Sequence, residues 1–170
     1  GIGWKMSSKI EKHNHGIIVG PQTLPVEEGA KVLMAGGNAI DAAITCAFVQ
    51  GIVDPQMCGI GGYAELTLQL AGQEMNPIHM DAPAIAGSLV TPEMWVNKVI
   101  GANPDGWGFF LEGKVNDAGY TSVCTPGWVK GMSTILDRWG TISWAQAIAP
   151  AARIAEEGFK VSEALSRLFR

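Results

Sequence analysis

The 170-residue sequence predicts an α+β fold organised as one unit, residues 1–170. Three observations carry this. Apolar residues recur one helical turn apart over 40–52 and again over 128–139, strict apolar/polar alternation runs from Tyr63 to Leu70, and no repeat, low-complexity stretch or linker divides the chain.

In chain order, the leader Gly1–His15 is polar and charged, and it reads as mobile and solvated. Ile17-Ile18-Val19-Gly20 then makes a first, buried strand ahead of Pro21. Pro25 suits a first helical turn, Glu27 and Glu28 complement the positive end of that helix, and Gly36-Gly37 ends it. Asn38 caps a second helix in which Ile40, Ile44, Phe48 and Ile52 align. Ala39, Ala42, Ala43, Cys46 and Ala47 keep its other sides thin, as a central helix requires.

Beyond Asp54-Pro55 and the glycine loop Cys58–Gly62, the alternating stretch is a half-buried strand. It places Ala64, Leu66, Leu68 and Leu70 on one face, and Ile78–Asp81 is its antiparallel partner. The segment from Asn97 to Tyr120 has no usable period and reads as a long loop, with Trp107, Phe109 and Phe110 as anchors to the core. Thr125-Pro126 reads as a cap and first-turn proline for a helix bearing Trp128, Met132, Ile135 and Trp139. Ser143 to Gln146 is a capping box, Pro150 should kink or restart the helix that runs to about Glu157, and Ser162 starts another with Leu165, Leu168 and Phe169 on one side.

Composition narrows the function. The chain is 47% hydrophobic and 16% charged, more apolar than an average monomer, so part of its surface should be buried by another chain. Its apolar runs are broken by Asp41, Gln50 and Asp54 before they reach the roughly 20 residues that a membrane crossing needs. A net charge of −4 without a basic block argues against nucleic acid. The leader lacks the pattern of a secretory signal, so the expected location is cytoplasmic, or periplasmic if a signal has been removed.

Chemistry-bearing groups are sparse. Cys46, Cys58 and Cys124 are widely spaced and read as ordinary buried or free thiols, including Cys58 beside the glycine loop. His13 and His15 lie in the leader and His79 in a strand, and none reads as a metal ligand or catalytic group. No metal site and no cofactor are expected. The glycine loop joins a helix to a strand, the reverse of a dinucleotide loop, and reads as tight backbone packing at Gly59, Gly61 and Gly62 rather than as an anion cradle.

Five segments in order nonetheless resemble the γ-glutamyltranspeptidase family. They are Gly36-Gly-Asn-Ala-Ile-Asp-Ala-Ala-Ile44, Asp54-Pro55 with Gly59-Ile-Gly-Gly62, Thr125-Pro-Gly-Trp-Val-Lys-Gly131, Gly140-Thr-Ile-Ser-Trp-Ala145, and Pro150–Phe159 with Val161. The resemblance spans about Gly16 to Ser162. It implies a self-cleaving precursor of the N-terminal nucleophile hydrolase type, folded as a four-layer αββα sandwich of two sheets between helices. A second chain would begin with a threonine whose own amino group is the base for attack on a small amide substrate. This chain is then the front, non-nucleophilic part of the α chain. No catalytic residue is assigned to it.

One position departs from the pattern. Members acting on γ-glutamyl compounds carry Asp-x-Arg-Glu, whose arginine holds the substrate α-carboxylate, and the matching stretch here is Asp81-Ala82-Pro83-Ala84. Pro83 and Ala84 are thus the substrate-binding candidates, without a cation. Leaving a buried carboxylate unpaired costs about 2–5 kcal/mol, so an acylase or amidase with a less charged acyl group is expected. Two alternatives remain open: a true γ-glutamyltransferase anchored through Arg138, Arg153 or the partner chain, and a non-catalytic scaffold that has lost the nucleophile.

Overall fold

The computed structural model describes residues 9–13, 16–73 and 75–168, with backbone alone for 9–13 and 164. Strands β1 (Lys9–His13) and β2 (Gly16–Gly20) pair antiparallel, with Lys9 opposite Gly20 and His13 opposite Gly16. Part of the leader expected to be mobile is therefore a strand, while His15 lies outside the described residues. β2 is half-buried rather than buried. Ile18 faces α1, while Ile17 and Val19 point outward, 64% and 57% exposed. Gly29 makes that contact possible, because a Cβ there would stand 2.3 Å from Ile18 Cδ1.

Helix α1 (Thr23–Met34) starts two residues before Pro25, so Glu27 and Glu28 fall in its second turn and do not serve its dipole. Glu28 is instead buried, accepting from Lys31 Nζ at 2.6 Å and Arg153 Nη2 at 3.0 Å. The helix ends as the glycine pair predicts. Gly36 adopts φ +92°, and the N–H groups of Gly36 and Gly37 donate back to Leu33 O and Val32 O at 3.1 and 3.0 Å.

Helix α2 (Ala39–Val53) opens on a capping box: Asn38 Oδ1 accepts from the N–H groups of Ile40 and Asp41, and Asp41 Oδ2 accepts from Asn38 N. It is central, as its thin alanine faces predict. Ile40, Ala42, Ile44, Val49 and Val53 are buried against α1 on one side and the later helices on others.

Strands β3 (Ala64–Leu68) and β4 (Ile78–Ala82) form the expected antiparallel ladder, with Ala64 opposite Ala82 and Leu68 opposite Ile78. Its inner face, Ala64, Leu66, Leu68 and Met80, packs on the core of Ile40, Ile44, Trp128, Met132 and Ile135. The predicted long loop contains a third ladder, β5 (Val99–Ala102) with β6 (Phe109–Leu111). Its strands are short and their register shifts between Val99 and Gly101, so no run of alternation survives in the sequence. The aromatic residues there do not anchor it to the core: Trp107, Phe109 and Phe110 are exposed, and Leu111 is buried.

Helix α3 (Trp128–Trp139) has Gly127 as its N-cap. Thr125 and Pro126 precede it and do not cap it, because the Thr125 backbone is engaged with Ile85. Helix α4 (Trp144–Glu157) carries the predicted capping box of Ser143 and Gln146 and runs through Pro150 without restarting. Phe48 of α2 meets Trp128 and Trp144 edge to face, at centroid distances of 4.7 and 5.2 Å. Helix α5 (Glu163–Leu168) is capped by Ser162, whose Oγ accepts from Leu165 N. Leu165 is buried, Leu168 is exposed and Phe169 lies outside the described residues.

The α3–α4 turn is fixed to α2 by Asp41, which is fully buried. Its carboxylate accepts from Thr141 N at 2.8 Å, the Thr141 hydroxyl and Ile142 N at 3.4 Å, and Asn38 Nδ2 donates to Trp139 O at 2.7 Å. Burial opposes ionisation of Asp41, but the hydrogen bonds from Thr141, Asn38 and Ile142 outweigh it and hold the carboxyl below its ordinary 3.8. A depressed carboxyl stabilises the fold above its unfolded pKa, and that contribution disappears as pH falls through the folded value. Asp41→Asn in the assembled protein should cost about 2–4 kcal/mol at neutral pH by chemical denaturation. The gap to wild type should narrow as pH is lowered through 4 and below, and a pH-independent gap would refute the assignment.

Candidate functional site

Pro83 and Ala84 follow directly on β4, where the chain turns from buried Ala82 to an exposed strip. Two fixtures hold that strip. On its far side Ile85 and Thr125 exchange backbone hydrogen bonds, Ile85 N to Thr125 O at 2.9 Å and Thr125 N to Ile85 O at 2.7 Å. On its near side the start of α3 lies against the end of β4, with glycine on the helix at both points of closest approach. A Cβ at Gly127 would stand 2.3 Å from Pro83 O, and one at Gly131 would stand 2.5 Å from Ala82 Cβ.

The glycine loop joins the same place. Gly62 O accepts from Trp128 N at 3.2 Å, so the loop, the β4 exit and the start of α3 converge although they are far apart in sequence. The loop is launched by Asp54 at the end of α2. Its side chain accepts from Gln50 Nε2 at 3.1 Å and Gln56 Nε2 at 2.7 Å, while its carbonyl accepts from Met57 N and Cys58 N. The expectation of tight packing at the loop glycines does not hold. A Cβ at Gly59 or Gly61 would meet nothing within 4 Å, one at Gly62 would meet only Gly59 O at 4.0 Å, and none of the three has a positive φ. Beside this strip the glycines that packing requires are Gly127 and Gly131, whose spacing of one helical turn in the sequence was the signal available for them.

No nucleophile with an adjacent base is present among the described residues. The Cys58 thiol donates to Asp54 O at 3.4 Å, and burial together with the Asp54 charge raises its pKa, the reverse of what an attacking thiolate needs. Burial pushes Cys46 up to about 11, while Cys124 is exposed. His79 faces Thr67 Oγ1 at 3.3 Å across the β3–β4 ladder, on its exposed side. Among the described residues no cluster of three His, Cys, Asp or Glu side chains could hold a metal, and no helix is long and apolar enough to cross a membrane.

Neither arginine considered as an anchor reaches the strip. Arg138 sits near the far end of α3, about 15 Å along the axis from Trp128, and lies over the Trp139 ring at 5.7 Å. Arg153 is engaged by Glu28 and Glu157 at 3.0 and 3.3 Å. It borders a cleft of about 490 Å³ between the start of α1 and the exit of α4, which Pro83 and Ala84 do not line. The strip is therefore uncharged and exposed.

Residues 26–170 match the sequence pattern of the family described as Gamma-glutamyltranspeptidase. The chain belongs to the γ-glutamyltranspeptidase family. It is 34% identical over 158 residues to the glutathione hydrolase proenzyme of Bacillus subtilis (strain 168), covering 93% of this chain and 25% of that protein. It is equally 34% identical over 155 residues to the acylase ACY 1 proenzyme of Pseudomonas sp. (strain SE83), covering 90% of this chain and 26% of that one. Its fold superposes on the γ-glutamyltranspeptidase of Helicobacter pylori with a TM-score of 0.78 at 30% identity, over 94% of this chain and 43% of that chain. The cephalosporin acylase of Bacillus halodurans superposes with a TM-score of 0.70 at 28% identity, over 86% of this chain and 25% of that chain. This member thus spans about a quarter of the length of these curated relatives.

The two kinds of glycine in this family member should separate experimentally. Gly61→Ala should change unfolding stability by no more than about 0.5 kcal/mol, because the new methyl group enters open space. Gly127→Ala should cost about 1–3 kcal/mol, because its methyl group collides with backbone oxygens that no rotamer change can move. Thermal unfolding of the two variants side by side decides this, and equal losses would refute it.

Proposed function

We propose that this chain is the front part of the α chain of a self-processing amide hydrolase, an acylase or amidase, and that residues 1–170 contribute a single structural unit to it. An N-terminal threonine on a partner chain from the same precursor would act as nucleophile, with its own α-amino group as base. The proenzyme names of the B. subtilis and Pseudomonas relatives support a precursor of this kind. The open edges of the β3–β4 ladder and the outward residues Ile17 and Val19 fit strands and side chains of a partner completing a four-layer αββα sandwich.

The observation that carries the specificity is the uncharged strip at the end of β4. By the resemblance, Pro83 and Ala84 would take the place of the arginine and acid of γ-glutamyl-specific members, and neither can hold a carboxylate. A γ-glutamyl donor would leave its α-carboxylate unpaired there. The alternative transferase reading, with an anchor at Arg138 or Arg153, draws no support from the positions of those residues.

In the assembled, processed protein, kcat/KM for 4-aminobutanoyl p-nitroanilide, which lacks the α-carboxylate, should equal or exceed that for γ-glutamyl p-nitroanilide. A preference of about tenfold or more for the γ-glutamyl compound would overturn this and restore the transferase reading. Intact-mass analysis of the same preparation should give two chains, the second beginning with threonine. A single uncleaved mass would instead favour a non-catalytic scaffold.

A further inference from the structure

Gly127 and Gly131 lie one turn apart, on the side of α3 that faces the end of β4. A Cβ at Gly127 would stand 2.3 Å from Pro83 O and 2.8 Å from Ala82 O. At Gly131 it would stand 2.5 Å from Ala82 Cβ and 3.0 Å from Met80 Cε. Only the methionine methyl can swing aside. The other obstacles are backbone oxygens and a Cβ, so relief requires β4 to move away from the helix. Three residues beyond Ala82, the Ile85–Thr125 bonds fix the chain again, so a shift of Ala82 is taken up between these points, at Pro83 and Ala84.

We infer that Gly127 and Gly131 are positioning residues that set the acyl-group selectivity of this site, by seating the β4 exit directly on α3. The inference rests on the proposed role of Pro83 and Ala84 as a wall of the acyl pocket. The two glycines act only through that wall. A displacement of a fraction of an ångström in such a wall changes the fit of one acyl group relative to another more than it changes the chemical step.

Gly140, at the other end of α3, supplies the control. A Cβ there would be as crowded, 2.5 Å from Leu136 Cδ1 and 2.9 Å from Asp41 Oδ1, but about 20 Å along the helix from the strip. Ala82→Gly supplies the complement, since it removes the atom that a Gly131→Ala methyl group would strike.

The experiment uses the full-length, self-processed protein and the ratio of kcat/KM for 4-aminobutanoyl over γ-glutamyl p-nitroanilide. Gly131→Ala should change that ratio by about tenfold, mainly through KM, and adding Ala82→Gly should return it to within about twofold of the parent. Gly140→Ala should lower Tm and leave the ratio alone. If Gly131→Ala does not assemble, Ala82→Gly alone, which loosens the same seat, carries the test and should also move the ratio. A processed Gly131→Ala enzyme with the parental ratio, a silent Ala82→Gly, or a Gly140→Ala enzyme shifted as far would overturn the inference. Pro83→Arg separates the two levels: if it moves the ratio while Gly131→Ala does not, this inference alone fails, and if both are silent the pocket wall fails with it.

Discussion

The carboxylate of Asp41 is the point on which the remainder of the structure depends. It closes the capping box of α2 and, through Thr141 and Ile142, holds the turn between α3 and α4 against the start of that helix. Gly140 belongs to the same arrangement, since a Cβ there would crowd Asp41 Oδ1. With the C-terminal end of α3 fixed in this way, the edge-to-face contact of Trp128 with Phe48 aligns its other end. That other end seats Ala82 and Pro83 and holds Gly62 through Trp128 N. The buried acid thus fixes one end of α3, while the strip is seated at the other end by contacts of its own.

Within the proposed function, that division of labour matters. The strip contributes shape and a lack of charge, and the described residues around it contribute neither nucleophile nor base. The two arginines considered as anchors are engaged elsewhere. Arg153 is taken up by Glu28, whose own burial makes the pairing necessary, and Arg138 rests on Trp139. A pocket wall of this kind selects by what it fails to offer a charged acyl group rather than by what it binds.

Much of the fold was legible from local signals. Asn38 as a cap, and Ser143 with Gln146 as a capping box, were readable because such signals lie within three residues, and both are present, with Asp41 completing the first as a second capping box. The β3–β4 ladder was readable because one of its faces rests on the core and the other does not, which writes alternation into the sequence. The β5–β6 ladder carries no such record. Most of its apolar residues are exposed and its register slips, so no burial pattern is imposed on it. Thr125-Pro126 has the composition of a cap but serves as a bridge to Ile85, a partner forty residues away that local pattern cannot reveal.

The site was less legible than the fold. Pro83 and Ala84 are proposed on family resemblance alone, because an uncharged strip has no chemical signature. The glycine loop was misread for the opposite reason: glycine suggests crowding, and near this strip the crowding lies at Gly127 and Gly131 instead.

The pairing pattern also bears on how the chain folds. Each ladder joins consecutive strands, across 14–15, 69–77 and 103–108, so each can close over a short stretch of chain. The contacts that join the front of the chain to the back are different, since Asp41 meets Thr141 over 100 residues and Glu28 meets Arg153 over 125. Closing a loop of that length costs about 2 kcal/mol more in chain entropy than closing one of ten residues. The hairpins and the α1–α2 pair can therefore form early and independently, and arrival of α3 and α4 on α2 is the slow, topology-limited event that brings the strip, the glycine loop and the seat into one place.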